Sequence, residues 1–155
     1  MVSKLERCIK DEQAMMQLGQ QLAKICQPPF VIFLHGDLGA GKTTLTRGFL
    51  RGLGYQGAVK SPTFTLVETY NLKSVTLHHF DLYRIIDAEE LDYIGLEEYF
   101  SAEALVVVEW AERGQRLLPK ADLECHIEFL GKEGRQVQLN AHPEVLNKFS
   151  QISER

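Results

Sequence analysis

Chemistry in this chain starts from one run of residues, Gly36, Asp37, Leu38, Gly39, Ala40, Gly41, Lys42, Thr43 and Thr44. The run fits G-x-x-x-x-G-K-[ST], a loop that cradles phosphate. Each fixed position answers a physical demand. Glycines let the backbone take positive φ and approach phosphate oxygens closely. Such a turn points its N–H groups inward as an anion nest. A helix starting at the end of the run adds free N–H groups and the positive end of its dipole. Lys42 brings a full positive charge to the β/γ-phosphates, and the Thr43 hydroxyl is placed to ligate Mg²⁺.

A phosphate loop with Mg²⁺ needs carboxylates, usually from the C-terminal end of a neighbouring apolar strand. Glu109 follows the apolar run 105–108, and Asp81 ends the stretch 77–80. Thr43 and Glu109 are therefore read as the metal-side pair, with Asp81 beside them. Glu109 has two possible roles, acting through water or orienting an attacking water as a base. Ser61, Pro62, Thr63 and Phe64 form a candidate γ-phosphate-sensing loop, with two hydroxyls and a proline that restricts it. Trp110, the only tryptophan, is read either as a wall of the nucleotide site, as a partner surface, or as core.

Elements must position these groups. Residues 30–35 are nearly all apolar, as in a strand buried on both faces. Leu45, Phe49, Leu50 and Leu53 then recur at helical spacing, and Gly54 sits where a helix stops. Upstream, 5–10 reads as a short strand, and Asp11 and Glu12 suit the start of a helix that carries Ala14, Leu18, Leu22 and Ile25. Residues 64–70 and 75–83 read as a strand pair joined at 71–74. The acidic stretch 87–100 reads as a helix whose negative face is either solvated or a dock for a basic partner. Beyond strand 105–109, a short helix is expected up to Leu118, then a hairpin of 124–130 and 135–139, and a helix over 143–150 with frayed final residues. His78 and His79 point to opposite faces of a strand, one packed and one exposed. His35, His126 and His142 are read as isolated.

The bulk properties narrow the class. A chain of 155 residues reads as one compact domain, residues 1–155, with a self-sufficient core. The three cysteines are widely spaced, form no C-x-x-C pair and fit idle thiols in a reducing compartment. The first residues carry Lys4, Glu6 and Arg7 and no apolar stretch of a signal peptide. No segment has the length of a membrane span, so a cytoplasmic location is expected. A net charge of −4 is unlike a basic nucleic-acid binder, so contact with RNA is expected to be indirect. The expected fold is a three-layer α/β sandwich of the P-loop NTPase type, whose mixed sheet carries antiparallel hairpins.

Four motifs occur together: the loop 36–44, Ser61-Pro62-Thr63-Phe64-Thr65-Leu66-Val67-Glu68, His79-Phe80-Asp81-Leu82-Tyr83-Arg84, and Glu109-Trp110. Over roughly residues 5–140 the chain resembles the TsaE family, P-loop ATPases of bacterial tRNA threonylcarbamoyladenosine biosynthesis. The resemblance implies ATP and Mg²⁺ as ligands and the TsaB and TsaD proteins as partners, with tRNA reached only through them and no membrane involved. It implies slow ATP hydrolysis that resets the TsaB–TsaD complex between turnovers. Lys42, Asp81 and Glu109 become the catalytic set, and 61–64 the switch loop. Glu12 matches a position near the adenine; the turn after Leu130 is also expected to approach it, although its sequence departs from the family's there. The absence of an Asn-Lys-x-Asp motif favours ATP over GTP. Two other readings stay open: a small-molecule P-loop kinase, and an adaptor locked by nucleotide without useful hydrolysis.

Overall fold

The computed structural model describes residues 1–153. Its frame is a seven-stranded mixed sheet in the order β1-β7-β6-β2-β5-β4-β3. The strands are β1 (Ser3–Ile9), β2 (Phe30–His35), β3 (Val67–Asn71), β4 (Thr76–Asp81), β5 (Ala104–Glu109), β6 (Leu123–Leu130) and β7 (Gly134–Ala141). β6, β2, β5 and β4 run parallel. β3 is added antiparallel at one edge, and β7 with β1 at the other. The expected mixed sheet with antiparallel hairpins is therefore present. No helix among the described residues is long and apolar enough to cross a membrane.

One face of the sheet is covered by α1 (Glu12–Ala23), α2 (Lys42–Gly52) and α4 (Pro143–Ser153). Leu18 and Leu22 of α1 and Leu45, Phe49 and Leu50 of α2 share a core with Ile32, Leu34, Leu105 and Val107 of the sheet. Asp11 starts α1 by accepting a hydrogen bond from the Ala14 N–H at 2.9 Å, which satisfies a donor that the helix leaves free. Gly54, at φ 97°, follows the end of α2.

The opposite face has a thinner cover. Residues 87–100 do not form the single helix expected. A 3-10 stretch, Ala88–Ile94, is capped by a reciprocal pair of Asp87 and Glu90. Gly95 in left-handed geometry (φ 70°) then breaks it before the four-residue α3, Leu96–Tyr99. The helix expected up to Leu118 is likewise two 3-10 turns, Ala111–Arg113 and Gln115–Leu117. Phe80, Leu82, Leu91, Leu96, Val106 and Val108 form the core beneath this cover. β5 is buried on both faces; β2 is fully buried through Phe30, Ile32 and Leu34, while Phe33 packs partly buried against the core on the other face.

Strand boundaries also shift. β3 begins at Val67 rather than at residue 64, because residues 62–66 close a turn with Leu66 donating to the Pro62 carbonyl at 2.7 Å. Leu66 adopts φ 73°, which a strand residue cannot. The frayed final residues expected from sequence reach past the described residues.

Candidate nucleotide site

Parallel strands end together, and the groups that could do chemistry sit at those ends. β2 delivers the glycine loop at its C-terminal end, and α2 starts from it at Lys42. Gly36 packs against β6 so closely that a Cβ there would lie 2.9 Å from the Ile127 carbonyl oxygen. Gly41, at φ 118°, caps α2 with no side-chain hydrogen bond, so the first N–H groups of the helix are left for another acceptor. Ala40 N–H donates to the Asp37 carbonyl at 3.0 Å and tightens the loop.

β4 and β5 bring the acids. Asp81 and Glu109 stand opposite each other in the parallel register. Both are almost fully buried, at 4 % and 3 % exposure, and so is Lys42 at 5 %. Lys42 Nζ donates to the Gly36 carbonyl, lies 3.9 Å from Glu109 Oε1, and sits 4.4 Å from the centre of the Trp110 ring. The Thr63 hydroxyl donates to Asp81 Oδ2 at 2.9 Å, and Ser61 Oγ lies 2.8 Å from Thr63 Oγ1. Asp81 Oδ1 accepts from the Tyr83 N–H at 2.9 Å. Asp81 is therefore the tether between strand β4 and the loop 61–64.

A cavity of about 220 Å³ is lined by Leu38, Gly39, Gly41, Lys42, Thr43, Thr44, Ser61, Thr63, Asp81, Glu109 and Trp110. This single space collects most of the residues singled out from sequence. Pro62 and Phe64 do not line it: Pro62 is buried, and Phe64 is 80 % exposed with the Arg84 guanidinium 4.2 Å from its ring centre. Trp110 resolves as both wall and core, because it also packs against the core under the thinner cover. A second cavity, about 430 Å³, opens from the other side of the same loop. Asp11, Glu12, Met15, Gly39, Ala40, Gly41, Thr44, Lys132, Glu133 and Arg135 line it, so Glu12 and the turn after Leu130 meet there.

Three further features were hidden in the sequence. Arg135, at the start of β7, donates from Nε to the Ala40 carbonyl at 2.8 Å and from Nη2 to the Gly39 carbonyl at 3.2 Å. Holding those carbonyls on the outside leaves the N–H side of the loop facing the cavity. His79 is wholly buried, and its Nε2 donates to Glu109 Oε2 at 2.6 Å. His35 and His126 are not isolated. Their rings stack 4.4 Å apart at 12°, and His35 Nε2 lies 2.8 Å from Glu124 Oε1. Burial, with His35 adding to it, pushes the His126 pKa down. One ligand atom from each of His35, Glu124 and His126 lies within 4.8 Å of the others, so the three form a compact polar cluster between β2 and β6. Cys26 and Cys125 are buried and Cys8 is exposed, all as free thiols. Burial pushes the Cys125 thiol up to about 12, so it stays protonated and inert.

The chemistry available follows from these groups. An uncapped helix start, a nest of N–H groups and a buried ammonium suit a polyphosphate. The Thr43 hydroxyl and the Asp81 and Glu109 carboxylates share this small cavity and are hard oxygen donors of the kind Mg²⁺ takes from a protein when phosphates supply the rest.

Residues 9–137 match the family model described as "Threonylcarbamoyl adenosine biosynthesis protein TsaE". A TsaE protein of Haemophilus influenzae is 43 % identical over 155 residues, covering 94 % of this chain and 98 % of that protein. One of Bacillus subtilis is 40 % identical over 132 residues, covering 85 % and 80 %. Both are called tRNA threonylcarbamoyladenosine biosynthesis protein TsaE. The crystal structure of Bacillus subtilis YdiB superimposes with a TM-score of 0.82 at 32 % identity, covering 99 % of this chain and 97 % of that one.

Proposed function

The chain belongs to the TsaE family, and from that membership we propose that it serves tRNA threonylcarbamoyladenosine biosynthesis as an ATPase that binds ATP with Mg²⁺, hydrolyses it slowly, and resets a TsaB–TsaD complex between turnovers. The observation that carries the reading is the gathering of Lys42, Thr43, Asp81 and Glu109 on one 220 Å³ cavity at the uncapped start of α2.

In this reading the N–H groups of residues 39–44 and the Lys42 ammonium hold the β- and γ-phosphates. Thr43, with Glu109 and Asp81, holds the metal, which when bound neutralises phosphate charge. Glu109 orients the attacking water. Glu12, Met15, Lys132 and Glu133 line the cavity that receives the base and ribose. Catalysis of this kind is almost wholly positioning and electrostatics, so misplacing one carboxylate costs much of the rate.

Partner control fits the loop 61–66. Thr63 is tied to Asp81, Leu66 is held at φ 73°, and Phe64 projects into solvent. A partner that grips Phe64 moves Thr63 and Asp81 together, so docking and the metal site are linked through one hydrogen bond.

Phosphate release from ATP by the purified chain, alone and with TsaB and TsaD, tests the proposal. Feeble turnover alone that rises with both partners is expected. Transfer of phosphate to a small acceptor with no response to the partners would replace this reading with a kinase. Tight binding with no hydrolysis in either condition would replace it with a nucleotide-locked adaptor.

A further inference from the structure

β4 faces its helix-covered side with Leu77, His79 and Asp81 in alternation, and β5 does so with Leu105, Val107 and Glu109. His79 pairs in register with Val107, two residues short of Glu109 along the strand. The imidazole bridges that diagonal, with Nε2 donating to Glu109 Oε2 at 2.6 Å, so the carboxylate fixes the proton on Nε2. His79 Nδ1 is buried and has no partner among the described residues. A ring with 0 % exposure and one unpaired nitrogen is a poor choice for stability alone, since Leu or Phe would fill the same space without an unpaired polar atom. The other oxygen of the carboxylate, Oε1, is the one facing Lys42 Nζ at 3.9 Å.

We infer that His79 is a positioning residue: it pins Oε2 of Glu109 so that Oε1 is presented to the cavity, where the metal and the attacking water of the proposed ATPase are handled. The inference rests on that proposed role of the site. Without His79 the Glu109 carboxylate is free to rotate and tighten its existing 3.9 Å approach to Lys42, which takes it from the position in which a metal or a water can use it. Partners of this kind typically change metal affinity or activity by about 10–100-fold when removed.

The test is a double-mutant cycle of His79→Leu and Glu109→Gln, read on ATP affinity with and without Mg²⁺ by equilibrium titration, with circular dichroism confirming the fold. His79→Leu is expected to leave Mg²⁺-free binding within about 2-fold and to reduce the Mg²⁺ enhancement by about 10-fold. In the Glu109→Gln background the same change is expected to have no further effect. His79→Gln, which retains a donor of similar reach, is expected to restore most of the enhancement. Additive effects in the cycle, or an unchanged Mg²⁺ enhancement in folded His79→Leu, would overturn the inference. Equal losses with and without Mg²⁺ would also overturn it, since they mark a merely structural role. If His79→Leu does not fold, His79→Gln and His79→Asn carry the test: equal Mg²⁺ enhancement in both would overturn it, because only Gln reaches the carboxylate. The binding readout separates this inference from the larger one, since absence of hydrolysis by the wild-type chain with TsaB and TsaD sinks the ATPase reading alone.

Discussion

Lys42 sits where three attractions meet: the Gly36 carbonyl, the Glu109 carboxylate at 3.9 Å and the Trp110 face at 4.4 Å. A cation over an indole gains about 0.5–2 kcal/mol, less than the charge-assisted hydrogen bonds that an ammonium makes to a polyphosphate. The ammonium is therefore expected to leave the ring when ATP enters. Trp110 is the sole tryptophan, so its emission reports that departure without interference. Titrating ATP into the wild-type chain is expected to change the emission saturably. Lys42→Ala is expected to abolish the change and to weaken ATP binding by roughly 100-fold, or about 2.7 kcal/mol. Affinity that survives the substitution would show that the ammonium does not hold phosphate.

Between elements, the glycine loop is aimed by how closely α1 and α2 pack. Gly19 of α1 lies so near α2 that a Cβ would meet the Leu45 carbonyl oxygen at 2.3 Å and the Phe49 nitrogen at 2.6 Å. Gly48 of α2 makes the reciprocal approach, its would-be Cβ 2.2 Å from the Met16 carbonyl oxygen. These are backbone atoms, so no rotamer relieves the clash and the helices must separate. Gly19→Ala is expected to cost about 1–3 kcal/mol in urea unfolding, the usual penalty of overpacking a core. ATP affinity is expected to fall with it, because α2 carries Lys42 and Thr43 at its start. A Gly19→Ala protein with the wild-type unfolding midpoint would mean that the helices are less tightly joined than described. The same elements show what sequence could carry. β2, α2 and the acids at the ends of β4 and β5 were legible, because apolar runs, glycine spacing and strand-end carboxylates are local patterns. The stretch 87–100 misled, because its composition suits a helix while Gly95 takes a left-handed conformation that stops it. The hydrogen bond from Arg135 to Ala40 spans 95 positions, and that from His79 to Glu109 spans 30, distances at which no local pattern signals contact.

At the scale of the whole molecule, the strand order explains why so few residues suffice. β2 is the middle strand of the seven, so its C-terminal end is flanked by β6 and β5, with β4 next beyond β5. The loop, both carboxylates and the tethered 61–64 segment then converge at the C-terminal ends of the parallel strands. The antiparallel β6–β7 pair turns at residues 131–133 and returns Arg135 to brace the loop from outside. Chain segments far apart in sequence thus build a small, open cavity, with Phe64 exposed on the loop that carries Thr63; no element closes over it as a lid among the described residues. In the proposed function, ATP and Mg²⁺ bind at these strand ends through Lys42, Thr43, Asp81 and Glu109. The most direct measurement is a crystal structure of the chain with Mg²⁺ and a non-hydrolysable ATP analogue. Phosphate density is expected against the N–H groups of residues 39–44, with a metal held by the Thr43 hydroxyl and by Glu109 and Asp81. A nucleotide bound away from the start of α2, or a metal that touches none of these residues, would contradict the proposed function.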